Sequence, residues 1–70
     1  MKPTVLVFDD SLSFGRQVRL LRVGRGLRQF DLAIACRLTP QAISLIERDI
    51  PVPRSYMERV SAYLALEVPE

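Results

Sequence analysis

Histidine is absent from these 70 residues, cysteine occurs once, and nine of the ten basic side chains are arginine rather than lysine. Without histidine, a cluster of metal ligands or a nucleophile beside a base, the chain is not expected to be an enzyme. No metal and no cofactor are expected either. The single Cys36 excludes an internal disulfide and suits a reducing compartment. It falls on an apolar helix face, which makes it a small core residue rather than a reactive thiol. Long hydrophobic runs are also missing. The stretch VLVF (residues 5–8) is too short for a signal peptide or a membrane span, and Asp9 and Asp10 follow it at once. No membrane partner is expected, and the expected location is the cytoplasm. Repeats and low-complexity tracts are absent, and there is no second convincing strand to pair with the first.

What is present is enough for one domain. Hydrophobic residues make up 49% of the chain, which suffices for a core, although a 70-residue domain is near the size where a single core becomes marginal. Net charge is only +2, yet its distribution is uneven. From Arg16 to Arg48 seven arginines face only Asp31 and Glu47, whereas the remainder of the chain is acidic on balance. Arginine is the side chain suited to bidentate contacts with phosphates and base edges, so a polyanion is the natural partner of the middle segment. A solvated basic face is the plainer alternative. Within RQVRLLRVGRGLR, arginine recurs at every third position, Arg16, Arg19, Arg22, Arg25 and Arg28. Each step of three falls about 60° short of a full helical turn, so these side chains wind around the cylinder and cannot share one environment.

Residues 4–8, TVLVF, read as a short strand bounded by Pro3 and Asp9-Asp10. After Ser11, a candidate N-cap, the spacing of Phe14, Val18 and Leu21 predicts a first helix, stopped by Gly24 and Gly26. A second is expected over about Gln29 to Cys36, burying Leu32, Ala33 and Cys36. Thr39 is a good N-cap for a third, with Pro40 at its first position, Ile43 and Ile46 inward and Leu38 beneath its start. Pro51 and Pro53 fix a loop. The pattern Ser55-Tyr-Met-Glu58 reads as a capping box opening a fourth helix with Met57, Val60 and Leu64 inside. The fold class expected is all-α, four to five short helices, with a strand-like N-terminal arm over residues 1–10 and a helical domain over 11–67.

Two short helices joined by a tight turn, the second capped by Thr-Pro, carry a resemblance. FGRQVRLLR, RGLRQFDLA and LT–QAISLIE, followed by a proline and V–YL, cover residues 14 to 66. With this run the chain resembles the Cro/repressor-type (xenobiotic-response-element-like) helix-turn-helix family. The resemblance implies a domain that binds double-stranded DNA, usually as a two-fold dimer on an inverted repeat, with the third helix in the major groove. Carried over by position, Pro40, Gln41, Ser44 and Leu45 become base-contacting candidates. Gln41 suits the N6/N7 edge of adenine, Ser44 suits several edges, and Leu45, polar in most relatives, could meet a thymine methyl or serve the core. Arg28, Gln29, Thr39, Arg48 and Arg54 are the phosphate candidates. Arg22 and Glu47 match a structural ion pair, which a carboxylate at a helix C-terminus needs on dipole grounds.

Several positions depart from that family. Arg28 stands where a capping serine is usual, and Arg37 and Asp49 where glycines are. A non-glycine residue in a left-handed turn there costs about 1 kcal/mol. Leu20, Val23, Phe30 and Ile34 are apolar where relatives are mostly polar. Phe30 and Ile34, with Val5, Leu6, Val7 and Phe8 of the arm, are the candidate dimer or partner interface. The function expected is a sequence-specific DNA-binding regulator, a small dimeric repressor associated with the nucleoid. The alternative is a protein-interaction module, antitoxin-like or anti-regulator, that binds another protein through the arm and these apolar residues.

Overall fold

A computed structural model describes residues 12–69, and these form four helices and, among themselves, no strand. They are α1 (Phe14–Gly24), α2 (Gln29–Cys36), α3 (Pro40–Glu47) and α4 (Arg54–Leu64). The class is all-α, as the helical spacing predicts. The arm over residues 1–10, with Val5, Leu6, Val7 and Phe8, lies outside the described residues, as does Ser11.

Each helix begins for a local reason, and two begin differently from expectation. Ser13 rather than Ser11 caps α1: its hydroxyl accepts the Arg16 N–H at 3.1 Å. That start puts Phe14 in the first turn, pointing into the core. At α2 the N-cap is Arg28, which has no acceptor, and Asp31 supplies the bond instead by accepting the Arg28 backbone N–H at 2.8 Å. Only the carboxylate half of a capping box is therefore made. Thr39 caps α3 as expected, its hydroxyl accepting the Ala42 N–H at 3.1 Å, with Pro40 at the first position. The capping box at Ser55 does not form. Helix α4 starts two residues earlier, from Pro53, with Ser55 inside it and no side-chain cap. Glu58 turns to Arg54, one helical turn back, at 3.5 Å.

The core draws on all four helices: Phe14 and Val18, then Leu32, Ala33 and Cys36, then Ala42, Ile43 and Ile46, then Val60 and Leu64. Helix α3 packs against α1 and α2, and α4 packs on the same two. The closest approach is at Gly15, where an added Cβ would lie 2.9 Å from the Glu47 carbonyl oxygen and nearer still to that of Ile46. The Gly15 N–H donates to Asp49 Oδ1 at 2.9 Å, so the start of α1 is tied to the chain leaving α3.

All four helices end alike. A left-handed residue follows the last turn, Gly26, Arg37, Asp49 and Ala65 in order. The N–H after it reaches back five residues, from Leu27 to Arg22, Leu38 to Ala33, Ile50 to Leu45 and Leu66 to Ser61, at 2.8–3.0 Å. This is the Schellman pattern, with an apolar residue after the turn each time. Only the first uses glycine, so Arg37 and Ala65 each hold a conformation that costs about 1 kcal/mol. Replacing either by glycine should raise the melting temperature by a few degrees, up to about 8 °C for each 1 kcal/mol in a domain this small. Gly15→Ala should lower stability by about 1–3 kcal/mol through overpacking. Thermal melts followed by circular dichroism check all three.

Candidate nucleic-acid interface

Helix α3 divides cleanly by exposure. Ala42, Ile43 and Ile46 are buried, whereas Gln41 is exposed and Ser44 and Leu45 are half-buried. At 100° per residue, positions 41, 44, 45 and 48 fall within an arc of about 100°, opposite the core-facing positions. Gln41 makes no side-chain hydrogen bond among the described residues, and Pro40 is half-buried at the leading end. Leu45 is the informative member. The half-buried apolar residues packed against the core are Leu21, Leu38, Val52, Tyr56, Met57 and Leu66, and Leu45 is not one of them. Its side chain therefore belongs to the outer face.

The far end of α3 is held by one carboxylate. Glu47 accepts from Arg22 twice, Nε to Oε2 at 2.5 Å and Nη2 to Oε1 at 3.1 Å. The side chains of Arg22 and Glu47 are 9% and 4% exposed. Arg22 also donates through Nη1 to the Leu27 carbonyl at 2.8 Å, which pins the loop between α1 and α2. Gln29, at the start of α2, donates its amide Nε2 to Glu47 Oε1 at 3.1 Å, and Arg19 Nη1 stands 3.8 Å from the same oxygen. The expected pair is present, and it is the centre of a larger network joining three helices. Gln29 is placed inward here: one of its amide donors is engaged within the protein rather than directed to solvent.

Five further arginines, Arg25, Arg28, Arg48, Arg54 and Arg59, have partners of their own. Arg25 stacks over Tyr63 with its guanidinium 5.9 Å from the ring centre, and Arg59 lies 5.8 Å over Tyr56 while donating to the Arg37 carbonyl at 3.1 Å. Arg28 is exposed and pairs with Asp31 at 3.2 Å. The Arg28 side chain, then its backbone N–H, holds the Asp31 carboxyl below the usual carboxylate range. Arg48 is exposed and folds back along α3, its Nε 3.4 Å from the Ser44 carbonyl. Arg54 donates to the Pro69 carbonyl at 2.9 Å besides pairing with Glu58, so it is engaged with the C-terminal segment. Thr39 is exposed at the start of α3. Its hydroxyl accepts a backbone bond and keeps its own proton free to donate.

Phe30 and Ile34, one turn apart on α2, are 56% and 62% exposed, and Leu20 and Val23 on α1 are exposed as well. Cys36 is buried in the core, and burial pushes its thiol up, away from reactivity. Among the described residues there is no group of side chains able to hold a metal ion and no helix long and apolar enough to cross a membrane. The role of Asp49 was missed in the sequence; its partner Gly15 is 34 residues away and no local pattern marks the bond. No protein-family model matches this chain, and no curated protein matches it.

Removing either member of the buried pair leaves the other charge without its principal counter-ion. Arg22→Ala and Glu47→Ala should each cost about 3–5 kcal/mol, enough to unfold most of a domain this size. The double replacement Arg22→Met with Glu47→Leu should recover most of that loss, and urea titration checks the set. Asp31 has a depressed folded pKa, so its contribution is present above the unfolded value and lost as pH falls through the folded one. Its carboxyl resonance should therefore titrate below that of a model aspartate, and Arg28→Ser should move the midpoint back up.

Proposed function

We propose that this chain binds double-stranded DNA and reads sequence in the major groove through α3, acting as a small dimeric repressor on an inverted repeat. The observation that carries the proposal is the outer face of α3. It sets Gln41, Ser44 and Leu45 side by side on a helix whose far end is locked to α1 and α2 by a buried carboxylate. A reading helix needs just this combination, side chains free to meet base edges on a support that fixes their angle. The resemblance to the Cro/repressor-type helix-turn-helix family supports the same reading. So does the concentration of arginine between Arg16 and Arg48.

In this reading Gln41, Ser44 and Leu45, with Pro40 at the leading edge, meet the bases. Arg28, Thr39 and Arg48 lie against the backbone, with the remaining arginines adding long-range attraction. Arg28 is an exposed cation beside the start of α2, where relatives have a neutral cap. Asp31 competes with phosphate for its guanidinium. Gln29 and Arg54 reach phosphate only by giving up the internal contacts described above.

A second reading rests on Phe30 and Ile34. Two large apolar side chains exposed one turn apart suit a protein partner or the second subunit. A module built only for protein binding has no use for Gln41, Ser44 and the local positive charge, which is why it ranks second.

Selection from randomised duplex DNA at physiological salt tests the proposal. The expected result is an enriched inverted repeat with half-sites about 10–10.5 base pairs apart. Weak, salt-sensitive binding with no enriched sequence would overturn it and direct the search to a protein partner. Within the selected site, Arg28→Ser should weaken every sequence about equally and reduce the salt slope by roughly one unit.

A further inference from the structure

We propose that the N-terminal arm folds back on its own domain and seats Leu6 and Phe8 in an apolar groove between the start of α1, the end of α3 and the first turns of α4. The inference does not depend on DNA reading.

The groove has a volume of about 340 Å³, and its walls include Phe14, Ile46, Ile50, Val52, Met57 and Pro69. Val52 and Met57 pack against the core yet stay half-buried, and Ile50 is exposed. The four helices therefore leave an apolar surface here that nothing among the described residues covers. Asp49 is the one charged residue of the lining, and its Oδ1 already accepts the Gly15 N–H at 2.9 Å. With no cation in its walls, the groove does not suit a polyanion.

The chain enters the domain at the edge of this groove. Residues 1–11 lie outside the described residues and join them at Leu12. The Leu12 carbonyl accepts from the Gln17 amide Nε2 at 3.0 Å, and Phe14, two residues on, is a wall of the groove. Four residues of extended chain span at most about 14 Å, so Phe8 lies within that reach of Leu12. A tether this short gives an effective concentration on the order of millimolar, which favours the chain's own arm over that of a second copy.

Size and pattern agree with this occupant. The stretch TVLVF, residues 4–8, carries no charge. Alternate side chains of an extended segment share a face, which puts Leu6 and Phe8 on one side and Val5 and Val7 on the other. A cavity of about 150 Å³ holds one benzene, so a groove of about 340 Å³ has room for a phenyl ring with an aliphatic side chain beside it. A second copy fits less well. Two concave surfaces cannot fill one another across a two-fold axis, and α2, which carries Phe30 and Ile34, contributes no residue to the lining. Docking of the arm here leaves Phe30 and Ile34 for the second subunit or another protein.

Methyl NMR of the full chain tests this, because Met57 is one of only two methionines. A phenyl ring seated on Met57 moves its methyl resonance upfield, so Phe8→Ala should shift that resonance downfield. The same replacement should lower the melting temperature by about 5 °C, and Leu6→Ala by somewhat less. Val7→Ala, on the outward side of the arm, should do neither. The Met57 resonance of the unaltered chain should not move on dilution. A resonance and a melting temperature both untouched by Phe8→Ala would overturn the inference. So would a Met57 shift that fades on dilution, since the occupant would then be the arm of a second copy.

Discussion

The Glu47 carboxylate is the constraint on which the rest depends. It stands at the C-terminal end of α3, where the helix dipole disfavours a negative charge, and it is almost wholly removed from water. Such a group is tolerable only with its lone pairs filled. Arg22 and Gln29 fill them, one from α1 and the other from α2. Arg22 in turn spends its remaining nitrogen on the Leu27 carbonyl, and among the described residues no buried side-chain polar atom is left without a partner. A network of this kind contributes little net stability against a hydrophobic substitute, but it tolerates few geometries. Its consequence is directional: the angle of α3 relative to α1 and α2 is set by donors at fixed positions.

Packing reinforces that angle from the other side. Gly15 lets the first turn of α1 approach the carbonyls of Ile46 and Glu47, and Asp49 answers by accepting the Gly15 N–H. Asp49 holds a left-handed backbone to do so. Here a non-glycine residue in a strained turn has a visible return, a charged acceptor placed at the positive end of α1. Arg37 has a partial one, since Arg59 donates to its carbonyl. For Ala65 the structure offers no compensating contact.

The arginines illustrate how one residue type takes several parts in a small domain. Arg22 is a buried structural cation, Arg25 and Arg59 cover tyrosine rings, Arg28 and Arg54 pair with acids one turn away, and Arg19 stands at the edge of the Glu47 network. The three-residue repeat has no collective role. Arg19 and Arg22 both reach Glu47, Arg25 covers Tyr63, and Arg28, beyond the end of α1, pairs with Asp31.

Much of the fold was legible in the sequence because it depends on near neighbours. The stripes through Phe14, Leu32, Ile43 and Val60, the Thr39-Pro40 start and the extent of α2 follow from helical period and capping chemistry within a few residues. The misplaced capping box at Ser55 is a failure of the same local kind: Ser55 and Glu58 fit the pattern, but Pro53 starts the helix and Arg54 takes the glutamate. The pair Arg22–Glu47 came only through a family resemblance, because its members are 25 residues apart. Contacts of Gln29 with Glu47 and of Gly15 with Asp49 span 18 and 34 residues, and no periodicity encodes them. Whether Leu45 faced the core or the solvent was likewise undecided by spacing, since it sits at the border of the apolar stripe. The sequence by itself determined which residues form helices and where arginine is concentrated, since both are local properties of the chain. Only the tertiary structure decided which side chains are consumed by the fold and which remain to meet a partner, because that depends on what distant segments bring alongside.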